Sequence, residues 1–407
     1  LHILYSALML LALPVFLLAG LWRVVTGSEP PAALAERLGF VPRPSGQGPT
    51  LWLHAASVGE ITSARWIIEA LAAQRRGLQI LVTCNTATAR ARVTGWALPG
   101  VSVAFAPLDL PGPPARVLRR WPPKALIVVE NETWPNRLSA ARRAGVPVIL
   151  IGARLSGRSA KRWARAPGLV AQMLGGIAYL SAQDAASRER LARLGVPAPA
   201  IGRDFALKSL TARADGSGLA GPAPRARVLL AASTHEGEEA GILAAFRAQG
   251  NFTHLILAPR HPARGEQIAA LIGTPPVPRR SQGALPRPDQ PVFLADTLGE
   301  MDLWYAMSGT CLIGGSLVDK GGHTPYEPGQ HGCALLHGPS TTNFTAIFAE
   351  LDAAGAALQV TPDTLADTFA NLSAKAQTRM AEAAAPILHP KDDGAWLVTE
   401  ILHHAGL

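Results

Sequence analysis

LWLHAASVGEITSARWIIEALAAQRRGLQILVT, residues 51–83, decides the fold. Leu51–His54 is a short apolar run ended by small residues and reads as a buried strand. Ser63–Gln74 carries its apolar residues at helical spacing, and Gly77 follows as a stop signal. Gln79–Thr83 is apolar again. Strand, helix and strand within roughly thirty residues form a βαβ unit, whose two strands must run parallel.

Working outward, Val101–Phe105, Ala125–Val129 and Val146–Ile151 read as further strands. Lys208–Arg227 (KSLTARADGSGLAGPAPRAR) is rich in Gly, Ala and Pro without periodicity, which marks a linker. A second alternating series follows at Val228–Ala232, His254–Ala258, Val292–Leu294, Thr310–Ile313 and Ala334–Leu336. Residues 366–385 and 394–403 read as helices. The expected class is therefore α/β, with two doubly wound domains, 26–207 and 228–385, around a linker at 208–227 and a closing helix at 386–407. Nucleotide-type ligands bind at the carboxyl edges of such sheets, which predicts a central cleft between the two domains.

Composition agrees with this. A chain of 407 residues suits two domains, and 48% hydrophobic with 16% charged residues excludes a disordered one. Three cysteines, Cys84, Cys311 and Cys333, without CxxC spacing argue against a disulfide framework or a thiolate zinc site and suit a reducing compartment. The net charge of +9 is unevenly divided. Residues 1–208 hold 25 Lys and Arg against 10 Asp and Glu, a balance of +15; residues 209–407 hold 13 against 19, a balance of −6. The first half should face an anionic partner. Nucleic acid would explain the charge but not the apolar amino terminus, and few aromatics lie among the basic residues, so no nucleic-acid partner is expected.

Leu1–Trp22 is apolar apart from His2 and Ser6, and Arg23 comes next. The run is long enough for a hydrocarbon core of about 30 Å. It lacks the basic n-region and small-x-small site of a cleaved signal peptide. Residues 1–25 are thus expected to be a membrane-anchor helix, spanning or interfacial, which Pro14 could kink. Arg23, Arg37 and Arg43 place the rest of the chain in the cytoplasm.

Three loops carry chemistry. HAASVGE (54–60) follows a strand, and Glu60 falls near a helix N-terminus, where the dipole favours its charged form and suits a base; a helix-capping Glu is the alternative. ENETWPN (130–136) brings Glu130 and Glu132 out of a buried strand, a costly arrangement unless they meet donors, a substrate or a helix to cap. Gly314-Gly315-Ser316-Leu317 and GGHTPYEP (321–328) pair glycines whose N–H groups can hold phosphate with a Glu that can take ribose hydroxyls. His323 and Glu327 have the spacing of a metal pair, but Pro325 and Pro328 and the lack of a third ligand argue against a metal. Arg260, in the strand-end run PRHP (259–262), offers a guanidinium for phosphate. His235 and His261 alone read as structural.

HAASVGE, ENETWPN, STHEGEE, APRHP, DTLGEM, GGSLVDKGGHTPYEP and GPSTTNF occur in the order, and near the spacing, of the 3-deoxy-D-manno-octulosonic acid (Kdo) transferases of lipopolysaccharide synthesis. The likeness runs from the amino terminus to about Phe344. It implies a GT-B fold, with the acceptor on the first Rossmann-like domain and CMP-Kdo on the second, and an inner-membrane anchor with the catalytic domains cytoplasmic. It implies inverting transfer of Kdo from CMP-Kdo to the lipid A precursor lipid IVA, with no metal or cofactor. Carried over by motif, Glu60 resembles the general base and Glu130 the first carboxylate of the family's ETELWPN. Pro259 and Arg260 resemble phosphate contacts. Leu298-Gly299-Glu300-Met301 and Thr324-Pro325-Tyr326-Glu327, with Gly315, Ser316 and His323, resemble the nucleotide loops. The family's HNPLEP is changed here at Thr324 and Tyr326. Its GNLK is absent as such, leaving Lys208, with Arg203 as a substitute, for the lysine role. Arg154, Arg158, Lys161, Arg162 and Arg165, at helical spacing, are expected to meet phosphate or headgroups, unless they form a solvated face. Another nucleotide-sugar glycosyltransferase, or an inactive lipid-binding scaffold, remains the alternative.

Overall fold

The computed structural model describes residues 2–130, 132–210, 220–388 and 393–407. The chain divides into two compact units, Leu1–Thr211 with Asp392–Leu407, and Ala212–Lys391. Residues 211–219 of the expected linker and Asn131 of the ENETWPN loop lie outside the described residues.

The first unit holds six parallel strands: β1 (Thr50–His54), β2 (Gln79–Cys84), β3 (Val101–Phe105), β4 (Leu126–Val129), β5 (Val148–Ala153) and β6 (Ile177–Ala182), in the order β3-β2-β1-β4-β5-β6. The second repeats the plan with β7 (Val228–Thr234), β8 (His254–Pro259), β9 (Val292–Leu294), β10 (Thr310–Ile313), β11 (Ala334–His337) and β12 (Ala357–Gln359), in the order β12-β11-β10-β7-β8-β9. Both are the doubly wound Rossmann order, reversed beside the first strand of each sheet.

Local chemistry moves several boundaries. Helix Val58–Gln74 starts five residues ahead of the expected Ser63, because the Ser57 hydroxyl accepts the Glu60 N–H and caps it. β5 begins after Pro147, which has no N–H to give the ladder. The stretch 366–385 is two helices, Leu365–Asn371 and Ala374–Leu388. Edge strands β6 and β12 were not expected from the sequence.

The two ends of the chain differ most from expectation. Helix Ala395–His404 is no separate closing element. Its Leu397, Val398, Ile401 and Ala405 are buried in the first unit's core with Leu51, Leu53 and Ile67, whereas helix Ala374–Leu388 belongs to the second unit. The amino terminus is not one anchor helix but two, His2–Leu11 and Leu13–Val25, bent by 46°. Pro14 sits in the first turn of the second helix, and the 46° bend falls just before it, at Ala12, so the expected kink is present as a break between two helices. No single helix among the described residues is long and apolar enough to cross a membrane, although the bent pair passes that test together.

Both amino-terminal helices are docked on the first unit. The Tyr5 hydroxyl donates to Asp109 Oδ2 at 2.9 Å, and the Ser6 hydroxyl to Asn136 Oδ1 at 2.7 Å. A Cβ at Gly20 would stand 2.6 Å from Leu34 Cδ2, so a side chain there would have to shift Leu34. The other faces stay bare: Ile3 is 85% exposed, Leu11 77% and Trp22 69%. The basic residues 154–165 do not form one helical stripe, because Arg154 precedes and Arg165 follows the short helix Gly157–Trp163. All three cysteines are free and buried.

Candidate active site

In the first sheet the order reverses between β1 and β4. Helix Val58–Gln74, after β1, packs on one face, and helix Pro135–Arg143, after β4, packs on the other. A crevice opens where the two connections part. The loops that leave there are 55–57 and 130–134.

Glu60 lies in the first turn of its helix. Its Oε2 accepts the Ala56 N–H at 2.7 Å, and its Oε1 accepts the Ser57 hydroxyl at 3.1 Å. This resembles a capping box, so the capping role is real. The expected electrostatics are reversed, however. Burial pushes the Glu60 carboxyl up to about 7, with the Glu130 charge next and Glu132 adding, against the two hydrogen bonds. Desolvation and like charge outweigh the helix dipole, which is worth about 0.3–1 kcal/mol.

Glu130 has φ +56, in the left-handed region that few side chains accept. Its Oε1 lies 3.0 Å from Lys208 Nζ, and both side chains are largely buried. Lys208 is held there by Leu207–Leu210, a single 3₁₀ turn lying over the end of β5. Gly152, at φ +56, makes room for it, since a Cβ there would come within 2.7 Å of Leu207 Cγ. Glu60, Glu130 and Lys208, proposed from three separate motifs, thus meet electrostatically at the edge of one sheet.

The sequence reading missed the network beneath them. Glu132 accepts hydrogen bonds from Trp134 Nε1 (2.8 Å), Asn85 Nδ2 (3.2 Å) and His54 Nε2 (3.3 Å). Burial works against its charge, but the His54 hydrogen bond and charge, Trp134 and Arg137 hold its carboxyl at about 2. Burial, then Arg137, depresses His54 to about 4, so its ring is neutral near pH 7. An ionised carboxylate only accepts, so the His54 proton must sit on Nε2. Nδ1 then accepts from the Thr83 hydroxyl at 3.0 Å. Arg137 is buried at 2% exposure, and its N–H and that of Asn136 donate to Asp109 at 2.8 and 3.0 Å. His54 and Glu132 both stood in quoted motifs; the signal was that His54 ends one strand and Glu132 follows the adjacent one.

The second sheet reverses between β7 and β10, and its ligand-type loops leave there. Register pairs Thr234 with Pro259, so Arg260 and His261 emerge beside His235. His235 and His323 stack with rings 3° from parallel and their Nε2 atoms 2.9 Å apart. The His261 ring lies 5.8 Å from that of His235. Burial first, then the positive charges of His261, Lys320, Arg260 and Arg264, lowers the His235 pKa. These histidines form a group instead of standing alone.

Three expected contacts are otherwise engaged. Glu238 takes the Gly315 and Leu317 N–H groups at 2.8 and 3.0 Å, and His235 N–H as well. Gly314, Gly321, Gly322 and His323 donate within the fold too, so these amides are not the phosphate donors. Ser316 is fully buried; its hydroxyl donates to Ile313 O and accepts from Gly338 N, which makes it a loop clamp and no ligand contact. Glu300 is also committed: Arg280 grips both its oxygens, at 2.6–3.0 Å, and Thr297 donates to it. That pairing fixes the turn that displays Leu298, Gly299 and Met301, with Gly299 at φ +85. Leu298 is 55% exposed. Pro259 is buried at the strand end, and Arg260 is exposed. Thr324 accepts the Tyr326 N–H at 3.3 Å, and Pro325 precedes the short helix Tyr326–Gln330. In that helix Glu327 is half-buried and Tyr326 buried.

Known proteins share both the sequence and the architecture. Residues 32–208 match the family model of the 3-Deoxy-D-manno-octulosonic-acid transferase (kdotransferase). A 3-deoxy-D-manno-octulosonic acid transferase of Bordetella pertussis is 36% identical over 358 residues, 82% of each chain. That of Haemophilus influenzae is 35% identical over 328 residues, 77% of each. Staphylococcus aureus MnaA solved with UDP superposes with a TM-score of 0.62 at 14% identity, over 88% of this chain and 98% of that one. UDP-GlcNAc 2-epimerase from Neisseria meningitidis gives 0.61 at 14% identity, over 88% and 100%. Those two share the GT-B fold. With identity above a third over most of their length, the two transferases carry the assignment further: the chain belongs to the Kdo transferase family of lipopolysaccharide core synthesis.

Proposed function

We propose that the protein transfers Kdo from CMP-Kdo to a hydroxyl of lipid IVA with inversion, using Glu60 as general base and no metal. The observation that carries this reading is the Glu60 carboxyl raised to about 7 beside the Glu130–Lys208 pair. A base with that pKa is largely ionised at slightly alkaline pH and still strong enough to take a hydroxyl proton. In the step, the acceptor O–H proton passes to Glu60, and the oxygen forms a bond to the anomeric carbon of Kdo. The bond from that carbon to the CMP phosphate oxygen breaks on the opposite face, and CMP leaves with the electron pair.

The remaining groups divide the work. Lys208 fixes the Glu130 charge, which keeps Glu60 basic and opposes positive charge developing on the sugar. His54, neutral, orients Glu132 and so holds the 130–134 loop. On the second unit, Arg260 and the His235, His261 and His323 rings face the leaving phosphate, in place of the glycine-loop amides. The turn at 298–301 and Glu327 hold the nucleoside. A site on the cytoplasmic side of the inner membrane, with the amino-terminal helix pair as anchor, follows from the same reading.

The test is incubation of the protein with CMP-Kdo and lipid IVA, with and without EDTA, read by mass spectrometry beside Glu60→Ala. One or more Kdo additions, insensitive to EDTA and lost in the variant, are expected. Folded protein that adds none would refute donor and acceptor together; transfer that survives in Glu60→Ala would refute the base.

A further inference from the structure

The first unit also carries a cleft of about 430 Å³ lined by Gly39, Phe40, Arg43, Arg116, Arg119 and Arg120. Gly39, at φ +90, lets the chain turn against the start of helix Pro113–Arg120; a Cβ there would come within 2.4 Å of Pro113 O. The turn lays the Phe40 ring 5.1 Å from the Arg116 guanidinium, which also donates to Leu38 O at 2.7 Å. Arg43, Arg119 and Arg120 are exposed and make no ion pair or hydrogen bond among the described residues. Elsewhere in this unit buried acids meet arginines, as Glu29 does Arg37 and Glu36 does Arg90. The cleft has no such acid.

Two of these arginines favour the helix end they occupy, but Arg43 lies on a loop and gains nothing from a dipole. Four guanidiniums around one cleft repel one another unless an anion joins them, and their fork geometry suits phosphate. The surroundings say what kind of anion. Phe40 is 54% exposed at the rim. It follows helix Ala32–Arg37, on which the second amino-terminal helix is seated through Gly20 and Leu34. That helix bares Leu18, Leu21, Trp22 and Val25. A phosphate site with an exposed aromatic ring at its rim, in the same unit as a helix baring aliphatic and aromatic side chains, matches the water–lipid boundary.

We propose that this cleft binds the phosphate headgroup of an anionic phospholipid and so docks the first unit on a membrane surface, with Phe40 and the amino-terminal helices at the acyl boundary. This docking is independent of sugar transfer.

The test is flotation of the full chain, without donor or acceptor, on vesicles of phosphatidylcholine alone or with about a third phosphatidylglycerol. A basic residue near an anionic surface contributes about 1 kcal/mol, so Arg43→Gln/Arg119→Gln/Arg120→Gln should lose about 10²-fold in partition to the anionic vesicles. Binding to phosphatidylcholine should hardly change. Arg75→Gln/Arg76→Gln/Arg92→Gln alters net charge equally among the elements on the other face of the sheet and should lose far less. Phe40→Ser, which removes no charge, should weaken binding to both vesicle types and serves if the triple variant does not fold. Equal losses in the two triples would reduce the effect to net charge and overturn the proposal. So would unchanged flotation of the cleft triple. Protection of wild type, but not the triple, by inorganic phosphate without any vesicle difference would assign the cleft to a soluble anion and overturn the lipid.

Discussion

Glu60→Gln should make this protein more stable and nearly inactive at once, and the stability gain should depend on pH in a stated direction. Folding raises the Glu60 carboxyl from an ordinary 4.5 to about 7, chiefly by burial and then by the Glu130 charge. The folded state therefore binds a proton more tightly than the unfolded one, and stability falls as pH rises between these values. A shift of this size corresponds to about 3 kcal/mol at 1.36 kcal/mol per unit, and partial contact with solvent reduces it to roughly 2–3 kcal/mol. Below pH 4.5 the carboxyl is neutral in both states, and Gln should differ little from Glu. Above pH 7 the variant should be the more stable by the whole amount, which for a domain of this size is about 5–10 °C in Tm. The glutamine can still accept the Ala56 N–H, so no new orphan is created. Calorimetry of both proteins at several pH values between 4.5 and 8, with transfer assayed alongside, measures it. A variant equally stable at every pH, or less stable at pH 8, would refute the electrostatics from which the base was argued.

The same contacts set three further expectations. The acid limb of kcat/KM should fall near pH 7 and move to lower pH in Glu130→Gln, since the Glu130 charge is the second cause of the Glu60 shift; an unmoved limb would detach the two carboxylates. Gly152→Ala should push Leu207 and lower kcat by displacing Lys208, with little loss of fold by circular dichroism. Tyr5→Phe removes a hydroxyl from the buried Asp109 carboxylate and should cost about 1–3 kcal/mol, seen as a lower Tm.

The sheets were legible because most of their strands are largely apolar runs of three to seven residues alternating with helical stretches. β6 was not. Ile177–Ala182 contains Ser181 and two alanines and follows a glycine pair, so it lacks the β-branched density of β5. β12, Ala357–Gln359, is as short as β9 but lacks its Val-Phe-Leu run. The carboxy-terminal helix was legible as a helix but not as part of the first core. Its Leu397, Val398 and Ile401 say only that one face is buried, and many apolar surfaces could cover it.

The site divides on the same physical line. Glu60 and Glu130 could be named because each sits in a motif that directly follows a strand, whereas Lys208, in the 3₁₀ turn Leu207–Leu210, was named only from the resemblance. What the sequence could not give is the sign of the Glu60 shift. A helix N-terminus, read locally, favours the carboxylate, whereas burial and Glu130, seventy residues away in sequence, favour the acid. The same holds for Glu238: its sequence neighbours are Gly237 and Glu239, but its carboxylate closes on Gly315 and Leu317 across the β7–β10 pairing and takes the amides that a glycine-rich loop advertises for phosphate. A glycine pair announces a backbone that can approach closely. Whether it approaches a ligand or a carboxylate of its own chain is settled by tertiary contacts, and here it is the Glu238 carboxylate that takes the Gly315 and Leu317 amides.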